Sequence, residues 1–308
     1  MKRFFIELDK AGSEWVIVAY LSGDPNMISV IEQGKSPHIV TGSLLTGLPE
    51  DVVEKESKLI GMANDPISIE AARRAIPELE KATFLPRSMS IRQCAKKANH
   101  GLNFKEGWFM FAQINELPAA ESKIVVHAYS NTVYPNLTNW WDSIQAELKN
   151  NHRTLHNLLG HKRQFLGMWG DDLWKSAISY KPQSTNAAMV RRGQRFIYDA
   201  MEKGQFDLKF KVFKELDLLA NNHDSLLLSY PWGQWFSAAE AILKCEDYMS
   251  PLLEAKGRQF KVRTDCKVGG KSWAVMKEVK LTNNVNELGR MIAEAVKASE
   301  LDNGKKKA

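Results

Sequence analysis

Short apolar runs bounded by turn residues lie near both ends of this chain, and apolar positions at helical spacing fill most of the middle. Phe4-Phe5-Ile6-Glu7-Leu8 reads as a strand ending at Asp9, after which residues 10–13 turn the chain into the apolar run 14–22. Residues 26–33 have helical spacing and stop at Gly34. A helix is predicted over 69–82, with Pro77 ending or kinking it, and others over 91–104 and 108–117. Tyr134-Pro135 opens a helix that carries Trp140, Trp141, Ile144 and Leu148 at core spacing. Residues 158–167 read as a hairpin with basic residues at its tip, and 186–202 as a helix with Arg191, Arg192 and Arg195 on an exposed face. Residues 216–230 give two apolar strands around a polar tip, and 260–262 are strand-like.

Within the 91–104 helix, Arg92, Lys96, His100 and Phe104 recur every fourth residue, so they form one slanting stripe. A guanidinium fork and an ammonium in successive turns suit a polyphosphate, and the rings beyond them can stack on a sugar or base. An ordinary amphipathic helix with a solvated basic edge explains the same stretch.

Composition narrows the choice only a little. The 308 residues are enough for a large core and two subdomains. No apolar run approaches the roughly 18–20 residues of a membrane span, and the expectation is a cytoplasmic protein with no membrane partner. Cys94, Cys245 and Cys266 are far apart and indicate neither disulfides nor zinc. Net charge +6 favours an anionic partner without naming it, and Lys305-Lys306-Lys307 belongs to a solvated tail.

Several motifs, in order, resemble those of family A DNA polymerases, the bacterial polymerase I type with its bacteriophage relatives. Asp9, Glu14 and Leu21-Ser22-Gly23-Asp24-Pro25 are similar to the first palm motif. Gly34-Lys35-Ser36-Pro37-His38 and Leu48-Pro49 resemble the next segments, and Arg92, Lys96, Asn99, Gly101 and Phe104 the fingers helix, with His100 where the family has Phe or Tyr. Lys162 and Arg163 stand near the family's Gly-Arg-x-Arg turn, and Gln183 matches a minor-groove contact. His223-Asp224 matches the last motif, with Ser225 replacing its Glu, and Gly269 to Trp273 resembles the closing Gly-x-x-Trp.

The resemblance implies an α+β fold: a palm of antiparallel sheet with helices, plus mainly helical fingers, with thumb and exonuclease domains absent. Residues 1–20 and 172–308 would be palm, the latter with a C-terminal helix and basic tail, and 21–171 fingers, with an insertion at about 55–90 that has no functional account. It implies template-directed DNA synthesis by two-metal phosphoryl transfer, with two Mg²⁺ ions (or Mn²⁺) at a metal site of Asp9, Asp224 and Lys10. Arg92, Lys96, His100, Phe104, Glu14 and His38 would bind the deoxynucleoside triphosphate, Glu14 closing off the space of a ribose 2′-hydroxyl. Gln183, His223, Lys162 and Arg163 would contact primer–template DNA. Because Met1 lies just before Asp9, a separate thumb/exonuclease polypeptide is expected as partner, as in a split phage polymerase. A non-catalytic DNA-binding subunit on the same scaffold is the alternative; Glu14 speaks against an RNA polymerase.

Overall fold

A computed structural model describes residues 2–10, 12–61 and 65–305, with side chains as far as Leu301. Ala11, residues 62–64 of the expected insertion and the end of the basic tail at 306–308 lie outside the described residues. In chain order the elements are β1 (Arg3–Asp9), α1 (Ser13–Ser22), α2 (Pro25–Glu32), α3 (Pro37–Thr46), α4 (Glu50–Ile60), α5 (Pro66–Arg74), α6 (Ile91–Gly101), α7 (Trp108–Asn115), α8 (Ala119–Ala128) and α9 (Asn136–Asn150). There follow β2 (Thr154–His156), β3 (Lys162–Gln164), α10 (Asp171–Lys203), β4 (Asp217–Asn222), β5 (Ser225–Pro231), α11 (Trp235–Met249), β6 (Leu253–Ala255), β7 (Arg258–Phe260), β8 (Asp265–Gly269), β9 (Lys277–Val279) and α12 (Val285–Lys305). The chain divides into a sheet unit, Met1–Ser13, Gln183–Glu254 and Gln259–Ala308, and a helical unit, Glu14–Pro182 and Ala255–Arg258.

The sheet unit is built on five antiparallel strands in the order β4-β5-β1-β8-β9. Side chains alternate across a strand, so register decides which residues share a face. Ile6 sits opposite Leu228 and Val268, and Leu8 opposite Leu226 and Cys266. All six are fully buried, in a core with Ile197 of α10, Ile242 and Cys245 of α11, and Leu288, Ile292 and Val296 of α12. The opposite face carries Glu7 and Asp9, which pair with Lys267 and Asp265 on β8. One face therefore makes the core and the other presents charge.

In the helical unit, prolines at the first turns of α2, α3 and α5 leave no donor to satisfy there. Asp24 is fully buried and structural: Oδ1 accepts from the Asn26 and Met27 amides at the start of α2, and Oδ2 accepts from Asn136 N at the start of α9. Helices α3 and α6 approach closely at Gly42, where a Cβ would lie 2.9 Å from Ile91 Cγ2. Trp140, Trp141, Ile144 and Leu148 are buried, as their spacing predicts.

Four elements differ from the sequence expectation. The helix expected over 69–82 is α5, capped earlier by Asp65 and ended before Pro77, which opens a three-residue-per-turn helix over Pro77–Lys81. The 91–104 helix ends at Gly101, so Phe104 lies in the following tight turn, Leu102–Phe104. The basic hairpin is shifted: His156 pairs with Lys162, so the tip is 157–161, and Lys162 and Arg163 lie on the exposed return strand. Helix α10 starts at Asp171 rather than 186, because its first turn carries Asp171 and Asp172 and Pro182 is accommodated in its interior. No helix among the described residues is long and apolar enough to cross a membrane.

Candidate active site

Asp9 ends β1, the central strand of the sheet, opposite Ser225 on β5 and Asp265 on β8. The β4–β5 hairpin turns through His223, whose φ is 53°, with Asp224 N donating to Asn222 O at 2.5 Å. Lys10 N then donates to Asp224 O at 3.0 Å, which ties the hairpin tip to the end of β1 and brings the two acids together. Burial lifts the Asp9 carboxyl to about 6; Asp224, Glu7 and Asp265 push the same way, and Lys267 opposes them. Among the described residues Asp9 Oδ1 is buried without a hydrogen-bond partner.

No group of three or more His, Cys, Asp and Glu among the described residues is arranged to hold a metal ion. The donor set nevertheless fits a hard cation. An orphaned carboxylate oxygen, surrounded by further carboxylates that raise its proton affinity, is relieved by a divalent ion that prefers oxygen ligands. The Lys10 side chain is committed elsewhere: fully buried, its Nζ donates to Ser250 Oγ, Val262 O and Thr264 Oγ1 at 2.5, 2.9 and 2.8 Å. Burial lowers that ammonium to about 8, against the attraction of Glu246. Lys10 thus pins the exit of β1, and the one group it could offer a cation is its backbone carbonyl, which accepts from Ser13 N at 3.1 Å.

In the helical unit, α6 exposes Lys96 and His100 and half-exposes Arg92, and neither Arg92 nor Lys96 has an ion-pair partner among the described residues. The buried face of α6 is anchored by a polar network. Asn99 Oδ1 accepts from the hydroxyls of Thr41 and Tyr129 at 3.0 and 2.9 Å, and its amide donates to His38 Nδ1 at 3.1 Å. Burial, then Arg92 and Lys96, lower His38 to about 4, so its ring is neutral and Nδ1 is the acceptor.

The first turn of α6 is capped twice, by Ser90 Oγ accepting from Gln93 N and by the fully buried Glu56 accepting from Ile91 N at 3.1 Å. Burial lifts Glu56 to about 7, against Ile91 and Arg73, from an ordinary 4.5. Between those values the unfolded chain has lost a proton that the folded chain keeps. The contribution of Glu56 to stability is therefore full below 4.5 and is lost as pH rises through about 7. Glu56→Gln keeps an acceptor for Ile91, and we expect it to melt several degrees above the parent at pH 8, a gain on the order of 3 kcal/mol that vanishes towards pH 4. Thermal melts across that range check this; a gap independent of pH would contradict it.

The remaining expected contacts are dispersed. Gln183 is exposed on α10 and His223 at the hairpin tip, both in the sheet unit, while Lys162 and Arg163 are exposed on β3 and Glu14 lies in the first turn of α1. Glu7, Asp265 and Lys267 received no role from the motifs. The alternation of β1 was a sufficient signal for Glu7, which must share a face with Asp9. Asp265 and Lys267 needed the register of β8.

No protein-family model and no curated protein matches this chain in sequence. In fold it is similar to a polymerase domain. One such solved structure is the POL domain of Pol1 from M. smegmatis in complex with DNA primer-template and dNTP, with TM-score 0.63 and 15% identity over 88% of this chain. This chain spans 40% of that one, less than half its length.

Proposed function

We propose that this chain is the catalytic part of a family A type DNA polymerase, adding deoxynucleotides to a primer 3′ end as the template directs. The observation that carries the reading is Asp9, its Oδ1 buried and unsatisfied beside Asp224, on the sheet of a fold similar to a polymerase domain. In this reading the sheet unit is the palm and the helical unit the fingers. The primer 3′-oxygen bonds to the α-phosphorus, the bond from that phosphorus to the β-phosphate oxygen breaks, pyrophosphate leaves, and the hydroxyl proton passes to solvent. Two divalent ions, magnesium or manganese, held by Asp9, Asp224 and the Lys10 carbonyl, would supply activation of the hydroxyl and charge relief for the leaving group. Arg92 grips the triphosphate as a fork and Lys96 as a point charge, with His38 beside them. His100 and Phe104 stack on sugar and base, and Gln183, His223, Lys162 and Arg163 hold the primer–template.

Glu14 excludes the 2′-hydroxyl in this account. Glu14→Ala is expected to raise ribonucleotide incorporation relative to deoxyribonucleotide by roughly tenfold, about 1.4 kcal/mol of discrimination. Matched single-nucleotide kinetics read the ratio, and an unchanged ratio in an active variant would place sugar selection elsewhere.

The reading includes a separate thumb/exonuclease polypeptide. Phosphate contacts dominate DNA affinity, and a net charge of +6 supplies only part of such a grip. Extension measured against salt, with and without that partner, tests it; salt-tolerant synthesis by this chain alone would remove the partner. A second reading, a DNA-binding subunit without catalysis, is favoured by Ser225 standing beside Asp224 where the resemblance calls for an acid. Primer extension separates the two.

A further inference from the structure

Ser225 leaves the hairpin one carboxylate short on the polymerase reading, and Glu7, on the neighbouring strand, sets a carboxylate against Ser225. Glu7 shares the charged face of β1 with Asp9. Its own cross-strand neighbours are Leu227 and Lys267, so Ser225, opposite Asp9, is its diagonal neighbour. Ser225 Oγ donates to Glu7 Oε1 at 3.4 Å, and Trp273 Nε1 donates to the same oxygen at 3.1 Å. Lys267 Nζ lies 3.7 Å from Oε2. Glu7 is only 9% exposed, so a carboxylate has been buried on the face that the core does not use. Its donors come from three separate segments, β5, β8 and the turn at Trp273–Val275. Asp265, the other acid beside Asp9, faces Arg263, with Nε to Oδ1 at 3.6 Å. Side chains at 7 and 225 are thus in direct contact, one from each of two neighbouring strands.

We propose that Glu7 is a positioning residue that provides the third carboxylate of the Asp9/Asp224 site from β1, holding Ser225 and Trp273 so that Asp9 Oδ1 remains open to a divalent cation. The inference rests on the polymerase reading, but its first readout does not. The probe is Mn²⁺ alone, titrated into the full chain without DNA or nucleotide and followed by electron paramagnetic resonance of the free ion. Glu7→Gln, which keeps acceptors for Ser225 and Trp273, is expected to melt within a few degrees of the parent and to bind Mn²⁺ roughly tenfold more weakly. In single-nucleotide incorporation its kcat is expected to fall roughly tenfold or more, with KM for the nucleotide near that of the parent. The exchange variant, Glu7→Ser with Ser225→Glu, returns the carboxylate from the other strand and is expected to recover Mn²⁺ affinity to within about threefold. A merely structural Glu7 would not be rescued in this way. Mn²⁺ binding by Glu7→Gln within twofold of the parent, or no recovery in a folded exchange variant, would overturn the proposal. If the parent incorporates no nucleotide at low salt, where a thumb partner is least needed, while Glu7→Gln loses Mn²⁺ affinity, the polymerase reading fails and the placement of Glu7 stands.

Discussion

Asp9→Asn and Asp224→Asn are each expected to reduce nucleotide incorporation by about a thousandfold or more, some 4 kcal/mol of transition-state stabilisation, while primer–template affinity is expected to change by less than about threefold. Asn preserves the shape of Asp but replaces one carboxylate oxygen with an amide that donates, and a hard cation gains little from it. Asp9 ends β1 on the charged face and Asp224 lies in the β4–β5 turn, and neither belongs to the Phe4, Ile6 and Leu8 core, so the exchange is not expected to disturb packing. Asp9→Asn removes a carboxyl that burial and three neighbouring acids have lifted to about 6. It is therefore expected to hold or raise the melting temperature above pH 6, where the parent must carry that charge. Loss of incorporation together with intact melting and binding marks the pair as catalytic. Near-normal incorporation by either variant would remove the assignment.

Arg92→Ala and Lys96→Ala are each expected to raise KM for the incoming nucleotide by roughly 10- to 100-fold. That range follows from the 1.5–3 kcal/mol of a hydrogen bond to a charged group. Lys96 is exposed and Arg92 half-exposed on α6, beside rather than within the buried stripe of Cys94, Ala95 and Ala98, so truncation is expected to cost the helix little packing. Neither is engaged by a carboxylate among the described residues, which leaves both charges available to phosphate. Arg92→Lys is expected to recover only part of the loss, because an ammonium cannot make the planar two-point contact of a guanidinium. Steady-state kinetics at saturating primer–template read the effect. An unchanged KM in both alanine variants would mean that the stripe is a solvated helix edge.

Local patterns were legible wherever one residue type fixed the backbone. The β1 strand, the β4–β5 hairpin around His223-Asp224 and the core tryptophans of α9 follow directly from alternation, polar tip and helical spacing. Boundaries failed where two signals competed: Pro182 reads as a helix breaker, yet α10 runs through it, and Asp65-Pro66 outranks the apolar run that follows as the start of α5. Long-range partners were not legible. The ring of donors around Glu7, the pinning of Lys10 by Ser250 and Thr264, and the cap of Glu56 on Ile91 join residues that only tertiary packing brings together. Those three contacts decide how Asp9 and α6 are held. The motifs nominate the candidate reacting groups, whereas the support beneath them comes from the fold.

The most direct test of the central claim is single-nucleotide incorporation on a primer–template with one defined templating base. The full chain is assayed at low salt with Mg²⁺ and each of the four deoxynucleotides in turn. The account predicts extension by one residue with the complementary nucleotide, no extension without a divalent ion, and none by Asp224→Asn. Tight binding of primer–template with no metal-dependent incorporation of any nucleotide, or addition indifferent to the templating base, would contradict it.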